Sequence, residues 1–324
     1  MLSWAWLLGG AFLGWALGAN DASNVFGTAV GARAVRFRTA AIYLCIFVTL
    51  GAFLQGSEGI HTLGSLSTGV TIQSAFTTAF TAALSVAALT VLKLPVSTSQ
   101  AVVGAIIGIS LALGDRPNWG SLPKIMLCWV GTPVGAMIIS VILYLVLGRI
   151  WDWTTDRVGL HVIDSLESGG LIVAGAYGAY ALGANNIANV VGVFAPLAPF
   201  NNMDPRVLAA LGAAAVCLGV VTYSKRVMFT VGQNLVPLEP FTAFIAVLAH
   251  AVTVHIYAMV GVPVSTSQAI VGAVLGIGLI KGVQSVNTKV LLKIVIGWVS
   301  TPISSGIVAF VFYKIVFGWI FPVA

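Results

Sequence analysis

Long apolar runs broken by short polar stretches make up nearly the whole chain. The runs fall at 3–32, 39–56, 70–92, 95–114, 124–148, 169–195, 207–222, 240–260, 262–280 and 290–319. Most approach or exceed the roughly 20 residues that an α-helix needs to cross a bilayer's hydrocarbon core. Backbone amides in lipid must be satisfied within their own segment, so the runs predict helices and an all-α polytopic membrane protein. Several runs are long or interrupted by Gly and Pro, and the stretches near Gly64 and Gly232 have room for short extra segments. The expectation is about ten to twelve membrane segments, some of them broken or re-entrant. The first run has no basic leader and flows straight into a polar motif, so it reads as a first membrane helix, not a signal peptide.

Composition sharpens the picture. Apolar residues make up 59% of the chain and charged residues only 7%, where soluble domains carry about a quarter charged residues. Mean hydropathy is +1.03. The net charge of +6 is not gathered into a basic run interleaved with aromatics, so nucleic acid is not an expected partner. Cys45, Cys128 and Cys217 all lie in apolar stretches at spacings that match no disulfide or metal framework, and packing is their expected role. The one extended polar connection, 151–168, carries a Trp pair suited to a membrane interface.

The runs are duplicated. Residues 95–104 read PVSTSQAVVG and residues 263–272 read PVSTSQAIVG, 168 positions apart. GANDASN at 18–24 is matched by GANNIAN at 183–189, and Thr62-Leu63-Gly64 by Thr230-Val231-Gly232. Trp129-x-x-Thr132-Pro133 is matched by Trp298-x-x-Thr301-Pro302. Four motifs in one order at offsets of 165 to 169 residues divide the chain into repeats at 1–157 and 158–324.

An odd number of crossings per repeat inverts the second against the first, and the loop charges agree. With the N-terminus outside, the inner loops hold Arg33, Arg36, Arg38, Lys93, Arg149, Arg157, Lys225, Arg226, Lys281, Lys289 and Lys293. Outside remain Arg116, Lys124, Arg206 and Lys314, so the count is 11 against 4. That is the positive-inside bias of a cytoplasmic-membrane protein, with both termini expected outside.

The duplicated motifs carry the candidate chemistry. Ser97, Thr98, Ser99 and Gln100, with Ser265, Thr266, Ser267 and Gln268, follow a Pro at the start of an apolar run. Pro followed by hydroxyl residues marks a helix start, whose free amides and partial positive charge attract anions. Six hydroxyls that donate without adding negative charge suit a small tetrahedral oxyanion. Ser and Thr also permit close helix packing, but two near-identical copies favour a site. Asn20, Asp21 and Asn24 share one helical face, as do Asn185, Asn186 and Asn189, and their oxygens suit a hard cation. Asp21 is the sharpest signal: an intramembrane carboxylate is costly, and no Lys or Arg lies near it in sequence. Sodium or a proton is its expected partner.

The remaining polar groups are weaker. Thr71, Ser74, Thr78, Thr81 and Ser85 form a hydroxyl stripe with packing as its first reading, and Thr132-Pro133 and Thr301-Pro302 are expected to kink their helices. His250 and His255 are candidate proton relays or core histidines, Glu58 and Asp164 fall near helix ends, and Glu167 is a candidate for the ion pathway. No G-x-S-x-G occurs, and no His stands at a telling spacing from the Ser-rich stretches, so an enzyme is not expected.

With these residues in view, the chain resembles the inorganic phosphate transporter (PiT) family over essentially its whole length. The resemblance rests on GAND and GANN at 18–21 and 183–186 and on the two PVSTSQ elements. It implies an inverted-repeat secondary transporter that moves phosphate in symport with sodium or protons, with no cofactor. By resemblance, Asn20, Asp21, Asn24, Asn185, Asn186 and Asn189 fall on the signature positions, and Ser97 to Gln100 with Ser265 to Gln268 on the second element. The resemblance, and not the residues themselves, implies a homodimer. The family usually keeps an Asp where this chain has Asn186; an amide does not titrate, which favours sodium over a proton. Proton coupling, a sulfate-type oxyanion as cargo, and an uncoupled anion channel remain the alternatives.

Overall fold

A computed structural model describes residues 2–66, 71–92, 96–115, 120, 122–231, 238–282 and 287–320. Pro95, Lys93, Arg116 and Gly232 lie outside these residues. Among the described residues the secondary structure is helical, with no strand. After a single turn, Leu2–Ala5, the helices are α1 (Leu7–Gly31), α2 (Phe37–Gln55), α3 (Ser57–Leu66), α4 (Ile72–Val91), α5 (Thr98–Leu113) and α6 (Leu122–Thr155). The same series then recurs as α7 (Leu160–Val191), α8 (Pro205–Thr222), α9 (Ser224–Val231), α10 (Pro240–Val260), α11 (Thr266–Lys281) and α12 (Thr288–Tyr313), the last prolonged by a π-helical stretch, Lys314–Ile320. α3 and α9 are the short segments expected near Gly64 and Gly232.

Two sequence expectations are corrected. The polar stretch 151–168 is not an extended connection, since α6 runs to Thr155 and α7 begins at Leu160. Its polar residues are solvated outer turns of two long helices. The PVSTSQ helices also begin later than the Pro implies. Ser97 and Ser265 are the N-caps, in extended conformation, and Pro263 stands two residues before its cap.

Neighbour relations are preserved when each helix is exchanged for its counterpart six places on. α2 packs on α7 as α8 packs on α1, and α5 on α12 as α11 on α6. α4 packs on α1 as α10 on α7. The central pair α1 and α7 is antiparallel: Gly10 lies against Val190, Asp21 against Asn186, Val25 against Gly178 and Phe26 against Gly175. Helices related by the duplication therefore run in opposite directions, which is the geometry of inverted repeats.

The repeats interlock where glycines remove side chains. A Cβ at Gly18 would strike the Val216 carbonyl and one at Gly219 that of Trp15; in the counterpart crossing, Gly51 meets Tyr180 and Gly183 meets Val48. Backbones this close exchange dispersion contacts, the main attraction between helices in lipid.

Among the described residues six helices are long and apolar enough to cross a membrane: α2, α4, α6, α8, α10 and α12 with its extension. α5 and α11 are apolar but shorter, at 16 residues. α1 and α7 are long but diluted by Gly, Asn and Asp, and most of their side chains are buried. The outer helices shield them. Leu127, Val130, Val134, Ile138 and Ile142 on α6, and Leu292, Ile296, Val299, Ile303 and Ile307 on α12, form exposed apolar stripes at helical spacing. Such stripes would be a liability in water and are the normal surface of a protein in lipid.

Candidate functional site

The site lies where α1 and α7 meet the first turns of α5 and α11. Ser97 Oγ accepts from Gln100 N at 3.3 Å, and Ser265 Oγ from Gln268 N at 3.2 Å, so each hydroxyl occupies one of its helix's free amides. The strands of chain before the two caps then cross. Ser99 Oγ donates to the Val264 carbonyl at 2.9 Å, and in the related bond Ser267 Oγ donates to the Val96 carbonyl at 3.1 Å. Each helix start is thus pinned to the segment leading into the other. Two N-termini with their partial positive charges face one small volume.

The Asn/Asp faces close that volume. Asn24 Nδ2 donates to Thr266 Oγ1 at 3.1 Å, and Asn189 Nδ2 to Ser99 Oγ at 2.9 Å. Each signature therefore holds a hydroxyl of the opposite repeat. Asn20 Nδ2 donates to Asp21 Oδ1 at 2.6 Å, Asn186 Nδ2 reaches Asp21 Oδ2 at 3.5 Å, and the Thr98 and Thr266 hydroxyls face the same carboxylate. All fourteen residues that the sequence singles out are buried, with Asp21 only 1% exposed.

Charge is the telling feature. The ion pair found among the described residues is Lys281 Nζ with Glu239 Oε1, at 3.1 Å, remote in sequence from this site. Among the described residues Asp21 has amide and hydroxyl neighbours but no cationic side chain. Around it, Asn186 Oδ1 and Asn189 Oδ1 are buried carbonyl oxygens without a hydrogen-bond donor. A buried carboxylate with unused neutral oxygens beside it is a donor set for a hard monovalent or divalent cation. Among the described residues no three His, Cys, Asp or Glu gather.

The two halves are not equivalent in detail. Asn185 clasps the segment before α11, donating to the Val262 carbonyl at 3.1 Å and accepting from Val264 N at 2.9 Å. Its counterpart Asn20 donates to Asp21 and accepts from Thr90 Oγ1 at 3.3 Å, and Leu94, the residue equivalent to Val262, lies outside the described residues. Asn185→Ala is therefore expected to loosen one helix start only. Leaving a buried carbonyl and amide unpaired costs about 1–3 kcal/mol. A lower unfolding temperature together with a raised KM for the cargo would report it, and an unchanged KM would mean that the clasp does not shape the site.

Other polar residues sit elsewhere. Thr77, Thr78, Thr81 and Ser85 each donate to the carbonyl four residues back, so the α4 stripe satisfies itself within its helix. Glu167 stands near Asp164 and Glu239, eighteen residues before Asn185 on the same helix. At 1.5 Å per residue that is about 27 Å from the site, so Glu167 does not reach it. His255 accepts or donates between Tyr177 at 2.7 Å and Gln55 at 2.8 Å. His250 is fully buried, with neither ring nitrogen hydrogen-bonded.

Comparison with known proteins follows the same residues. The model of the phosphate transporter family matches this chain twice, at residues 17–166 and 161–309. The chain belongs to the phosphate transporter family. A relative from Methanocaldococcus jannaschii, named "Putative phosphate permease", is 32% identical over 93% of both chains. Relatives of the same description from Pyrococcus furiosus and Haemophilus influenzae are 26% and 24% identical, over 95% and 96% of this chain. A solved structure titled "The sodium-dependent phosphate transporter" superposes with a TM-score of 0.86 over 98% of this chain and 99% of its own, at 24% identity. At that identity the likeness speaks for the fold: this member of the phosphate transporter family has the architecture of a solved one.

Proposed function

We propose that the chain carries inorganic phosphate into the cell in symport with sodium, by alternating access. The observation that carries this reading is the meeting of both duplicated motifs on Asp21, a buried carboxylate with no cationic side chain beside it among the described residues. An empty site of this kind repels phosphate. Once sodium neutralises the carboxylate, the same volume offers an anion two helix N-termini and the hydroxyls of Ser97, Thr98 and Thr266, while Ser99 and Ser267 brace the two helix starts. Sodium binding therefore precedes phosphate binding and strengthens it.

The roles divide by chemistry. Asp21 with the oxygens of Asn20, Asn24, Asn185, Asn186 and Asn189 supplies the cation's ligands. Ser97, Thr98, Ser99 and Gln100, with Ser265, Thr266, Ser267 and Gln268, hold the phosphate. The relative solved in three dimensions bears sodium-dependence in its title, which supports sodium as the coupling ion here. Phosphate entering against an inside-negative potential meets about 2.3 kcal/mol per charge per 100 mV, a cost that co-transported cations offset. The antiparallel α1 and α7 give the two repeats mirrored roles, so that rocking one against the other exposes the site to each side in turn. The distribution of Lys and Arg favours the cytoplasmic membrane with both termini outside.

The test is labelled phosphate uptake into proteoliposomes of the purified chain under an inward sodium gradient, an inward proton gradient, or neither. Uptake with sodium alone is the expected result. Uptake with protons alone makes Asp21 a proton carrier, and equal flux in all three arms makes the protein a channel or exchanger.

A further inference from the structure

Both PVSTSQ copies contain the S-x-x-Q spacing of a capping box, in which two residues satisfy each other's backbone amides. The N-cap hydroxyl accepts from the amide three residues on, and that residue's side chain reaches back to accept from the N-cap amide. Here only the first half is made, by Gln100 N to Ser97 Oγ and by Gln268 N to Ser265 Oγ. The second half is open at both sites. Gln100 Oε1 and Gln268 Oε1 accept no hydrogen bond, although each residue is only 3% exposed.

The same chain closes the box where no ligand is in question. At the start of α4, Thr71 Oγ1 accepts from Ser74 N at 3.2 Å and Ser74 Oγ accepts from Thr71 N at 2.9 Å. Leaving a buried acceptor unpaired costs about 1–3 kcal/mol, and this chain does so twice at related positions beside the site. A side chain in the first helical turn tilts toward the helix N-terminus, where Ser, Thr and Asp21 gather. The partial positive charge of that end disfavours a cation next to these oxygens. An acceptor there suits an anion that still carries a proton.

We infer that Gln100 and Gln268 read the protons of the substrate, each amide oxygen accepting one P–OH of dihydrogen phosphate. The uncommitted hydroxyls and helix amides donate to its bare oxygens, and the two glutamines answer its two donors. Sulfate, with acceptors only, leaves both amide oxygens unpaired and is excluded. The inference rests on the phosphate-transport reading and names the feature of that site which sets its selectivity.

Fluorophosphate tests it on the unaltered chain. At neutral pH it is a dianion of the same shape as hydrogen phosphate but has no P–OH. In sodium-driven uptake of labelled phosphate it is expected to compete about tenfold or more weakly than unlabelled phosphate, and excess sulfate is expected not to compete. In Gln100→Met and Gln268→Met, phosphate KM rises about tenfold, sulfate begins to compete, and the sodium KM, measured at saturating phosphate, stays where it was. Fluorophosphate competing as well as phosphate overturns the inference, as do Met variants that raise the sodium KM while still excluding sulfate. The first arm needs no variant to fold. No uptake of phosphate by the unaltered chain would overturn transport itself, a result distinct from losing this discrimination.

Discussion

Asp21→Asn is expected to abolish sodium-driven phosphate uptake, by about a hundredfold or more, while leaving the protein as stable as before or more so. The carboxylate is buried among Asn20, Asn186, Thr98 and Thr266, none of which neutralises it. Taking an unpaired carboxylate out of water costs several kcal/mol, and an amide of the same shape avoids that cost. The same change removes the charge that draws sodium in. Losing one partner of a buried ion pair costs about 3–5 kcal/mol, and about 2.8 kcal/mol already corresponds to a hundredfold weaker ion binding. Uptake and thermal unfolding measured together separate the two effects. Full sodium-dependent uptake by Asp21→Asn would remove the ion site from where it is proposed. Asn186→Asp makes the opposite change, setting a second carboxylate within hydrogen-bond distance of Asp21. Two like charges so close require another cation, so that variant is expected to show a steeper dependence of uptake on sodium concentration.

The largest effect on stability is expected at the glycine crossings. Gly51→Ala in α2 and Gly183→Ala in α7 each place a methyl group on a carbonyl of the other helix, Tyr180 and Val48 respectively. Neither carbonyl is the end of a flexible side chain, so the two backbones must part. Overpacking of this kind costs about 1–3 kcal/mol and sometimes more. Because each crossing joins one repeat to the other, the damage extends to the site. Gly183 stands two residues before Asn185, and a shift of α7 moves the whole second signature. A clear fall in unfolding temperature, with phosphate uptake lost before the fold is, would bear this out. Gly135→Ala is the control, because nothing lies within 4 Å of a Cβ built there.

Much of this architecture was legible in the residue pattern because membrane insertion leaves few options. Apolar runs had to be helices, and α4 and α10 begin and end within about two residues of the runs that announce them, as expected for pattern-based boundaries. The duplication also announced that the motifs would meet, since two copies of one motif in opposed repeats have a single place to do so. What was hidden is what depends on three-dimensional neighbours. The identical PVSTSQ strings do not say that Ser99 and Ser267 spend their hydroxyls on the opposite segment, which depends on how the two chains cross. The S-x-x-Q spacing suggests a closed capping box, and only the coordinates of the side chains reveal that Gln100 and Gln268 leave it open. Nor could the stretch 151–168 betray its helices, since polar helix ends beyond a membrane look like a polar loop.

Unequal bonds and unequal residues differ in their thermodynamic consequence. In an alternating-access cycle the two inverted halves exchange conformations, so a chain with identical halves would hold its outward and inward forms at equal free energy. A residue present in both halves can pass its bonds to its counterpart in the opposite form, and Asn185 on Val262 and Val264 beside Asn20 on Asp21 and Thr90 is a difference of that kind. Residues that differ between the halves cannot be exchanged. Asp21 opposite Asn186 is such a pair at the site, and it would help set which side of the membrane the empty transporter faces while it waits for sodium.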